Sequence, residues 1–180
     1  MAGLDPAIHP QADLQVRPVT AIRPANPSDT PAILRLIRGL AEYERKLHQA
    51  IATEAEIHAL LFGPRPHAFA ALAEENSAAV GLILWYYTVG TFSGRLGLFV
   101  EDVFVEPPHR GKGIGLALFR HVAAVARTEN CICMEWRVLH WNQSAIDFYR
   151  RLGATPLTEW QTMDLRGDAL TALAEGTRDG

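Results

Sequence analysis

The sequence predicts a mixed α/β domain with three layers, in which helices cover both faces of a β-sheet. Three strand-like runs between residues 67 and 105 are separated by short turns, and connections that short favour antiparallel pairing. Beyond residue 99, strands alternate with two helical segments, which is typical of parallel crossover units. A chain of 180 residues is long enough to form one such domain around a sizeable core.

The N-terminal residues are expected to lie outside this domain. Residues 1–18 contain Pro6, Pro10 and Pro18 among mixed polar residues, so we interpret them as a flexible extension. They also lack the apolar stretch of a secretory signal. Residues 19–175 are assigned to a single folded domain.

The folded domain is predicted to begin with a short strand, residues 20–23, which two helices follow. Ser28 is a suitable N-cap for the first helix, which is expected to extend to about Arg45. The apolar stripe of this helix consists of Ile33, Leu36, Ile37, Leu40 and Ala41. The second helix, residues 53–61, has two acidic residues in its first turn, where negative charge is favourable.

The remaining elements complete the sheet and the helices that cover it. Strands are predicted at residues 67–73, 79–89, 95–105, 132–138 and 162–165. A helical apolar stripe extends over residues 113–129, and a further helix, residues 142–152, is expected to end at Gly153, a suitable C′ residue.

The composition restricts the classes of partner. The net charge is −3, so broad binding to nucleic acid or to anionic membranes is not expected, and no apolar run approaches the ~20 residues of a membrane span. Cys131 and Cys133 are interpreted as buried structural thiols, because two cysteines make neither a zinc site nor a disulfide framework. No cluster of His, Asp or Cys has metal-ligand spacing, so no metal is expected. These features fit a cytoplasmic enzyme.

A glycine-rich loop follows the strongest predicted strand. Pro107 and Pro108 end the strand, because proline cannot donate a hydrogen bond to a sheet. Gly111, Gly113 and Gly115 then lead directly into a helix. Glycines let the backbone approach an anion, and the free N–H groups of the first helical turn point towards it. The order strand, glycine loop and helix therefore indicates a phosphate site, with added positive charge from Arg110 and Lys112.

Two common nucleotide motifs do not fit this loop. The dinucleotide fingerprint Gly-x-Gly-x-x-Gly fails, because its sixth position is Leu116 or Leu118. The P-loop fails, because Gly113 stands where Ser or Thr must follow Lys112. The pattern Arg-x-x-Gly-x-Gly does fit, with Arg110 as its first residue. A glycine-rich turn without a ligand is the alternative interpretation.

A second motif lies downstream, where residues 142–149 read Asn-x-x-Ala-x-x-x-Tyr, and Gly153 follows. With both motifs present in this order and spacing, the chain resembles the GNAT family of acetyl-CoA-dependent N-acetyltransferases over residues 22–173. Within that family it most resembles the spermidine/spermine (diamine) acetyltransferase group. The resemblance implies a GNAT-like three-layer α/β/α domain with a mixed, centrally splayed sheet.

The resemblance also implies how acetyl-CoA would be held. The end of the central strand would pair with the pantetheine arm, the glycine loop would bind the pyrophosphate, and the start of the later helix would also contact the cofactor. The residues expected to bind acetyl-CoA are Val103, Phe104, Val105, Arg110, Gly111, Lys112, Gly113, Ile114, Gly115, Leu116, Asn142, Ser144, Ala145 and Arg151.

Tyr149 matches the family's general acid. A phenol titrates near ~10, so at neutral pH it carries the proton that a leaving thiolate needs. The alternative is that Tyr149 is a core aromatic residue, since Ala145, Phe148 and Leu152 form an apolar stripe around it.

Adjacent acids occupy an otherwise apolar strand at Glu101 and Asp102. A buried charge needs a partner, and a cationic substrate could supply one. Glu101 is expected to be the substrate anchor or a base that acts through water. Tyr43 and Glu44 resemble the segment that lines the polyamine site in the diamine group. The alternative for these acids is a solvated surface, where carboxylates usually lie.

We therefore expect an enzyme that acetylates a small primary amine, such as a diamine, a polyamine or a thialysine-like amino acid. Two alternatives remain: a GNAT that acts on a protein or aminoglycoside amine, and a catalytically silent acyl-CoA sensor. The diamine group typically has an acid at the position of His140, so that departure bears on substrate choice. The resemblance also implies a homodimer.

Overall fold

The computed structural model describes residues 21–176, and the predicted extension at residues 1–18 lies outside them. The chain divides into two compact units, residues 1–137 and 138–180. In the first unit the strands are β1 (Ala21–Pro24), β2 (Phe69–Glu75), β3 (Ala78–Gly90), β4 (Arg95–Val105) and β5 (Met134–Trp136), and the helices are α1 (Thr30–Tyr43), α2 (Glu54–Phe62) and α3 (Ile114–Thr128). In the second unit the helices are α4 (Gln143–Arg151) and α5 (Gly167–Ala174).

The five strands form one mixed sheet in the order β1-β2-β3-β4-β5. The pairs β1–β2, β2–β3 and β3–β4 are antiparallel, and the pair β4–β5 is parallel. The connection from β4 to β5 contains α3, as expected for a parallel crossover. The predicted mixed α/β class and the predicted short hairpins are therefore confirmed.

The sheet is splayed between β4 and β5. Their pairing covers only Leu98–Val100 on β4 and Met134–Trp136 on β5, although β4 continues to Val105. In the part of the chain that the structure describes, residues 101–105 thus have no strand partner on the β5 side. We call this stretch the open edge of β4. It fulfils the expectation of a centrally splayed sheet.

Helices of the first unit cover both faces of the sheet. One face packs against α1 and α2 through Ile33, Leu34, Leu36, Ile57, Leu61, Ala70, Leu72, Leu82, Leu84 and Phe104. The other face packs against α3, where the ring of Trp85 lies 6.2 Å from that of His121. Gly39 allows α1 to approach β4 closely, because a Cβ there would lie 2.8 Å from the Phe104 ring. The end of α1 is thereby held beside β4.

The start of α1 differs from the prediction. Asn26 caps a 3₁₀ turn, Pro27–Asp29, that leads into α1. The N-cap of α1 is Asp29 and not Ser28, and Asp29 makes no side-chain capping bond. Asp29 accepts two hydrogen bonds of 2.7 Å from Arg23, which also bonds to Glu74. The sequence pattern did not distinguish the two arrangements, because Pro27 fits the first position after an Asn26 cap and Pro31 fits the first turn after a later cap. Helix α2 begins with a capping box, in which Thr53 and Glu56 bond reciprocally, and its first turn contains the two acidic residues that were predicted there.

Two of the later strand predictions need correction. The strand predicted at residues 132–138 is confined to β5, and residues 162–165 have no regular secondary structure. Apolar alternation marks a segment as able to extend, but a strand also needs a hydrogen-bonding neighbour. The end of α4 is as predicted, since Gly153 follows it with φ of +90°. Within residues 21–176, no helix has the length and apolar character needed to cross a membrane.

Candidate active site

The glycine loop has a backbone that only glycine adopts readily. Gly111 and Gly113 have φ of +75° and +86°, and a Cβ at either position would meet no atom within 4 Å. Gly113 is the N-cap of α3 and makes no side-chain capping bond. The first helical hydrogen bond is donated by Ala117 to the Gly113 oxygen, so the N–H groups of residues 114–116 have no acceptor within the helix. This arrangement suits an anion at the start of α3.

A buried carboxylate fixes the loop to the neighbouring strand. Glu75, at the end of β2, is only 5% exposed. One of its oxygens, Oε2, lies 2.7 Å from His109 Nδ1 and 3.6 Å from Lys112 Nζ. His109 thus anchors the loop to Glu75. The sequence gives no local signal for this contact, because 34 residues separate the two partners.

Arg110 folds back onto the end of β4. Its Nε donates a 2.8 Å hydrogen bond to the Val105 oxygen. Its guanidinium carbon lies 4.7 Å from the centre of the Tyr43 ring and 5.4 Å from that of Phe104. The structure therefore brings a predicted cofactor residue and a predicted substrate residue, Tyr43, into contact. The contact is possible because Tyr43 is the last residue of α1.

The open edge of β4 offers backbone groups at alternate residues. The Glu106 N–H donates to the Val80 oxygen at 2.9 Å, which fixes the register of the hydrogen bonds with β3. By alternation, the N–H and C=O groups of Val103 and Val105 point to the open edge. Phe104 points its own backbone groups to β3 and is 6% exposed within the core. Its cofactor role stays a prediction, and the packing that the structure shows lies behind the edge.

The predicted acidic residues meet near the end of α1. A register shift lies between Leu84 and Trp85 of β3, which places Asp102 opposite Leu84 on the α1 face and leaves Glu101 exposed between paired residues. Burial raises the pKa of Asp102 to about 6, and the negative charges of Glu101 and Glu44 add to the rise. Asp102 thus feels the charge of two further acids, one beside it on β4 and one at the C-cap of α1. Glu44 also has an ion pair of 3.4 Å with Lys46.

The raised pKa of Asp102 predicts a pH-dependent stability. The unfolded carboxyl titrates near ~4, so between about pH 4 and 6 the folded protein holds a proton that the unfolded chain has lost. The contribution of Asp102 to the free energy of unfolding is therefore most favourable below this range and is lost as pH rises through about 6. Asp102→Asn removes the pH dependence that this carboxyl adds to the free energy of unfolding. At pH 7 we expect it to increase the free energy of unfolding by up to about 3 kcal/mol relative to wild type, since each pKa unit corresponds to ~1.4 kcal/mol.

The measurement is chemical denaturation of both proteins at pH 4, 5, 6 and 7. The difference in the free energy of unfolding between wild type and Asp102→Asn should grow from pH 4 to pH 7. The exposed Asp168 provides the control, and for Asp168→Asn that difference should not grow with pH. A difference between wild type and Asp102→Asn that stays constant from pH 4 to 7 would contradict the assignment.

One charged residue that sequence reasoning missed lies near these acids. The guanidinium carbon of Arg137 is 5.3 Å from the centre of the Phe99 ring, and that ring is 5.3 Å from the ring of Tyr86. The pKa of Tyr86 is raised chiefly by burial, with a further rise from Glu101 and an opposing effect from Arg137. Arg137 directly follows β5, and nothing in a predicted strand distinguished it from a solvent-facing arginine.

The second unit contains the remaining predicted residues. Asn142 is the N-cap of α4, where its Oδ1 accepts hydrogen bonds from the Ala145 N–H at 3.3 Å and from Ser144 Oγ at 3.2 Å. These three predicted cofactor residues thus form one helix start. Arg151 is an exposed residue of the last turn.

Tyr149 lies in the last turn of α4 and is partly buried. Its ring is 5.5 Å from that of Phe148. No residue of α4 is fully buried. Both interpretations of Tyr149, as the general acid and as a core aromatic residue, stay predictions.

The described residues contain no group of three or more His, Cys, Asp or Glu side chains placed to hold a metal ion. The chemistry available in residues 21–176 is accordingly that of an anion-binding helix start, an open strand edge, a cluster of carboxylates and a tyrosine.

Known proteins share this sequence pattern and this fold. Residues 33–154 match the model of the acetyltransferase (GNAT) family. Thialysine N-epsilon-acetyltransferase of Mus musculus is 37% identical over 166 residues, which cover 86% of this chain and 97% of the mouse protein. Spermidine/spermine N(1)-acetyltransferase-like protein 1 of Homo sapiens is 34% identical over 163 residues, which are 85% of this chain and 23% of the human protein.

A solved structure agrees with these sequence matches. The integron cassette protein VCH_CASS6, from the mobile metagenome of V. cholerae, superposes with a TM-score of 0.74 at 25% identity. The superposition covers 87% of this chain and 98% of that protein.

Proposed function

The chain belongs to the acetyltransferase (GNAT) family, and we propose that it transfers the acetyl group of acetyl-CoA to a small primary amine. The amine classes under consideration are diamines, polyamines and thialysine-like amino acids. Both similar proteins described above carry names of small-amine N-acetyltransferases, which supports this choice over a protein or aminoglycoside amine.

The observation that carries the proposal is the combination of the glycine loop with the open edge of β4. A pyrophosphate needs N–H donors that no side chain obstructs, and the start of α3 offers them beside Gly113. An amide-containing arm needs a strand edge with accessible backbone groups. Val103 and the N–H of Val105 offer one, while the Val105 oxygen already accepts from Arg110. Both features fit acetyl-CoA, whose thioester supplies the acetyl group. We assign the backbone of Val103 and Val105 and residues 110–116 to cofactor binding, and Asn142, Ser144, Ala145 and Arg151 on the family motif.

Side chains of the protein would then attract the charged substrate and transfer its protons. A substrate ammonium is attracted by the carboxylates of Glu44, Glu101 and Asp102. Glu101 accepts a proton from that ammonium through water, which gives the neutral amine that can attack. Tyr149 would donate a proton to the departing sulfur, and the second proton that the amine nitrogen loses as the amide forms would restore the tyrosine hydroxyl. Because the pKa of Asp102 is raised to about 6, this group is only partly ionised near pH 6. We assign the role of base to Glu101, which is the exposed one of the two adjacent acids.

Glu101→Gln is expected to lower kcat/KM by about 10²-fold, the scale of a lost general base. In the wild type, kcat/KM should rise with pH on the acid side, because amines of the lysine type titrate near ~10 and must lose a proton before attack. The measurement is steady-state kinetics from pH 6 to 9 with a diamine. Glu54→Gln, an exposed acid in the first turn of α2, is the control.

Full activity of Glu101→Gln on every amine that the wild type accepts would show that the carboxylate is structural. Folding of both variants is checked by circular dichroism, so that a loss of activity is not confused with unfolding.

The proposal as a whole is tested by thiol release from acetyl-CoA in the presence of a panel of amines. Small aliphatic diamines and amino acids with a terminal amine should be acetylated, and basic peptides and aminoglycosides should not. Tight binding of acetyl-CoA by calorimetry without release with any amine would favour the silent sensor.

We also propose that the protein is a cytoplasmic homodimer. Both cysteines are free thiols, which suits a reducing compartment. Leu157, Trp160 and Met163 of the second unit are 56%, 76% and 83% exposed, and a second copy would cover such apolar side chains. Light scattering that gives the mass of one chain would contradict the dimer.

A further inference from the structure

Opposite charges stand on the two strands at the point where the sheet opens. The last residues paired between β4 and β5 are Val100 and Trp136. The next residue on β4 is Glu101, and the residue that directly follows β5 is Arg137. Any ligand that enters between the parting strands therefore meets a carboxylate on one side and a guanidinium on the other.

The arginine lies on the same face of the sheet as the acids. Side chains two residues apart on a strand share a face, so Tyr86 lies on the face of Leu84, which is opposite Asp102. Tyr86 is in turn opposite Phe99, whose ring supports the Arg137 guanidinium at 5.3 Å. The aromatic pair thus separates a positive group from the carboxylates on one surface of the first unit.

Neither charge is neutralised by the other. Within residues 21–176, no ion pair within 4.0 Å joins Glu101 or Arg137 to any partner. Arg110, by contrast, is bonded to a strand carbonyl, and Glu44 is paired with Lys46. The guanidinium of Arg137 keeps its five donors for a ligand, although its ring contact restricts where it can point.

We propose that Arg137 binds the carboxylate of the substrate, so that the preferred substrate is an amino acid with a terminal side-chain amine and not a plain diamine or polyamine. This inference rests on the proposed acetyl transfer to a small amine. A guanidinium matches a carboxylate with two parallel hydrogen bonds, whereas it repels the second ammonium of a diamine. The carboxylates on the other side of Tyr86 hold the amine that reacts.

The names of similar proteins do not decide this point, because one refers to an amino acid and the other to polyamines. A comparison of the activities on ornithine and putrescine distinguishes the two substrate classes, because these amines share the same terminal amine and carbon chain and differ by the carboxylate. Lysine and cadaverine form a second matched pair. The experiment measures kcat and KM for all four amines with acetyl-CoA at saturation.

Wild type should prefer ornithine to putrescine, and lysine to cadaverine. Arg137→Gln should lower the ratio of kcat/KM for ornithine to that for putrescine by about 10- to 100-fold, mainly through a higher KM for ornithine. Arg137→Lys should keep part of the preference, because it keeps the charge without the planar fork. Arg137→Glu should reverse the preference by attracting the second ammonium of putrescine. Arg127→Gln, in the last turn of α3, is the control for loss of an arginine elsewhere.

The outcomes separate this inference from the proposed function. A wild type that acetylates amines but prefers putrescine, or a ratio that Arg137→Gln leaves unchanged, overturns the role of Arg137 alone. An equal loss for both amines shows that Arg137 only packs on Phe99, and it overturns the inference too. A wild type that acetylates no amine refutes the proposed function, and the inference falls with it.

Discussion

Gly113→Glu is expected to abolish the binding of acetyl-CoA. The residue is the N-cap of α3, and its φ of +86° directs the first-turn N–H groups outwards without an obstructing side chain. A glutamate would place a carboxylate where the pyrophosphate must lie, and like charges at that distance repel. We expect no measurable heat of binding in calorimetry at acetyl-CoA concentrations that saturate the wild type.

Two controls separate charge from backbone strain. Any side chain at a positive φ costs roughly 1–2 kcal/mol, so Gly113→Ala should weaken binding modestly while it lowers stability by that amount. Gly94, in the turn between β3 and β4, has φ of +64° and open space around it. Gly94→Glu therefore imposes similar strain away from the loop and should bind acetyl-CoA normally. Unchanged affinity in Gly113→Glu would remove the loop from the site.

Tyr149→Phe should lower kcat by roughly 10²-fold or more, with little change in affinity for acetyl-CoA. The substitution removes the hydroxyl alone and keeps the ring that contacts Phe148. A loss of this size is typical of a missing general acid. The measurement combines steady-state kinetics with calorimetry, because a fall in kcat without a change in cofactor affinity distinguishes proton donation from packing.

Tyr87→Phe gives a matched control, since Tyr87 lies on β3 in an aromatic contact with Phe69 and has no proposed role in the reaction. Turnover by Tyr149→Phe close to that of the wild type would refute the general-acid assignment and leave Tyr149 as a packing residue.

The parts of the site that the sequence predicted depend on neighbouring residues. Two prolines end β4, alternate glycines follow, and an apolar stripe begins at once, so local rules suffice to predict a strand, an anion-binding loop and a helix. The cap at Asn142 and the end at Gly153 are local in the same sense. The mixed sheet was predicted from short turns and from helical crossovers, of which the one that contains α3 is present, whereas residues 162–165 form no strand.

The parts that the sequence did not predict depend on distant contacts. The contact of Glu75 with His109 joins residues of β2 and of the loop after β4. The register shift at Leu84 decides which of two adjacent acids is buried, and no single-strand pattern shows such a shift. Arg137 gains its position from the length of the β4–β5 pairing, which became known only from the fold.

The Glu75 anchor limits how this sequence can diverge. Glu75 is 5% exposed, and one of its oxygens lies beside His109 and Lys112, so an uncharged residue at either position weakens the compensation of a buried charge. Replacement of all three by well-packed uncharged residues avoids that cost. We therefore expect positions 75, 109 and 112 to be substituted in concert over evolutionary time, so that descendants of this chain either keep the whole ionic group or lose it together.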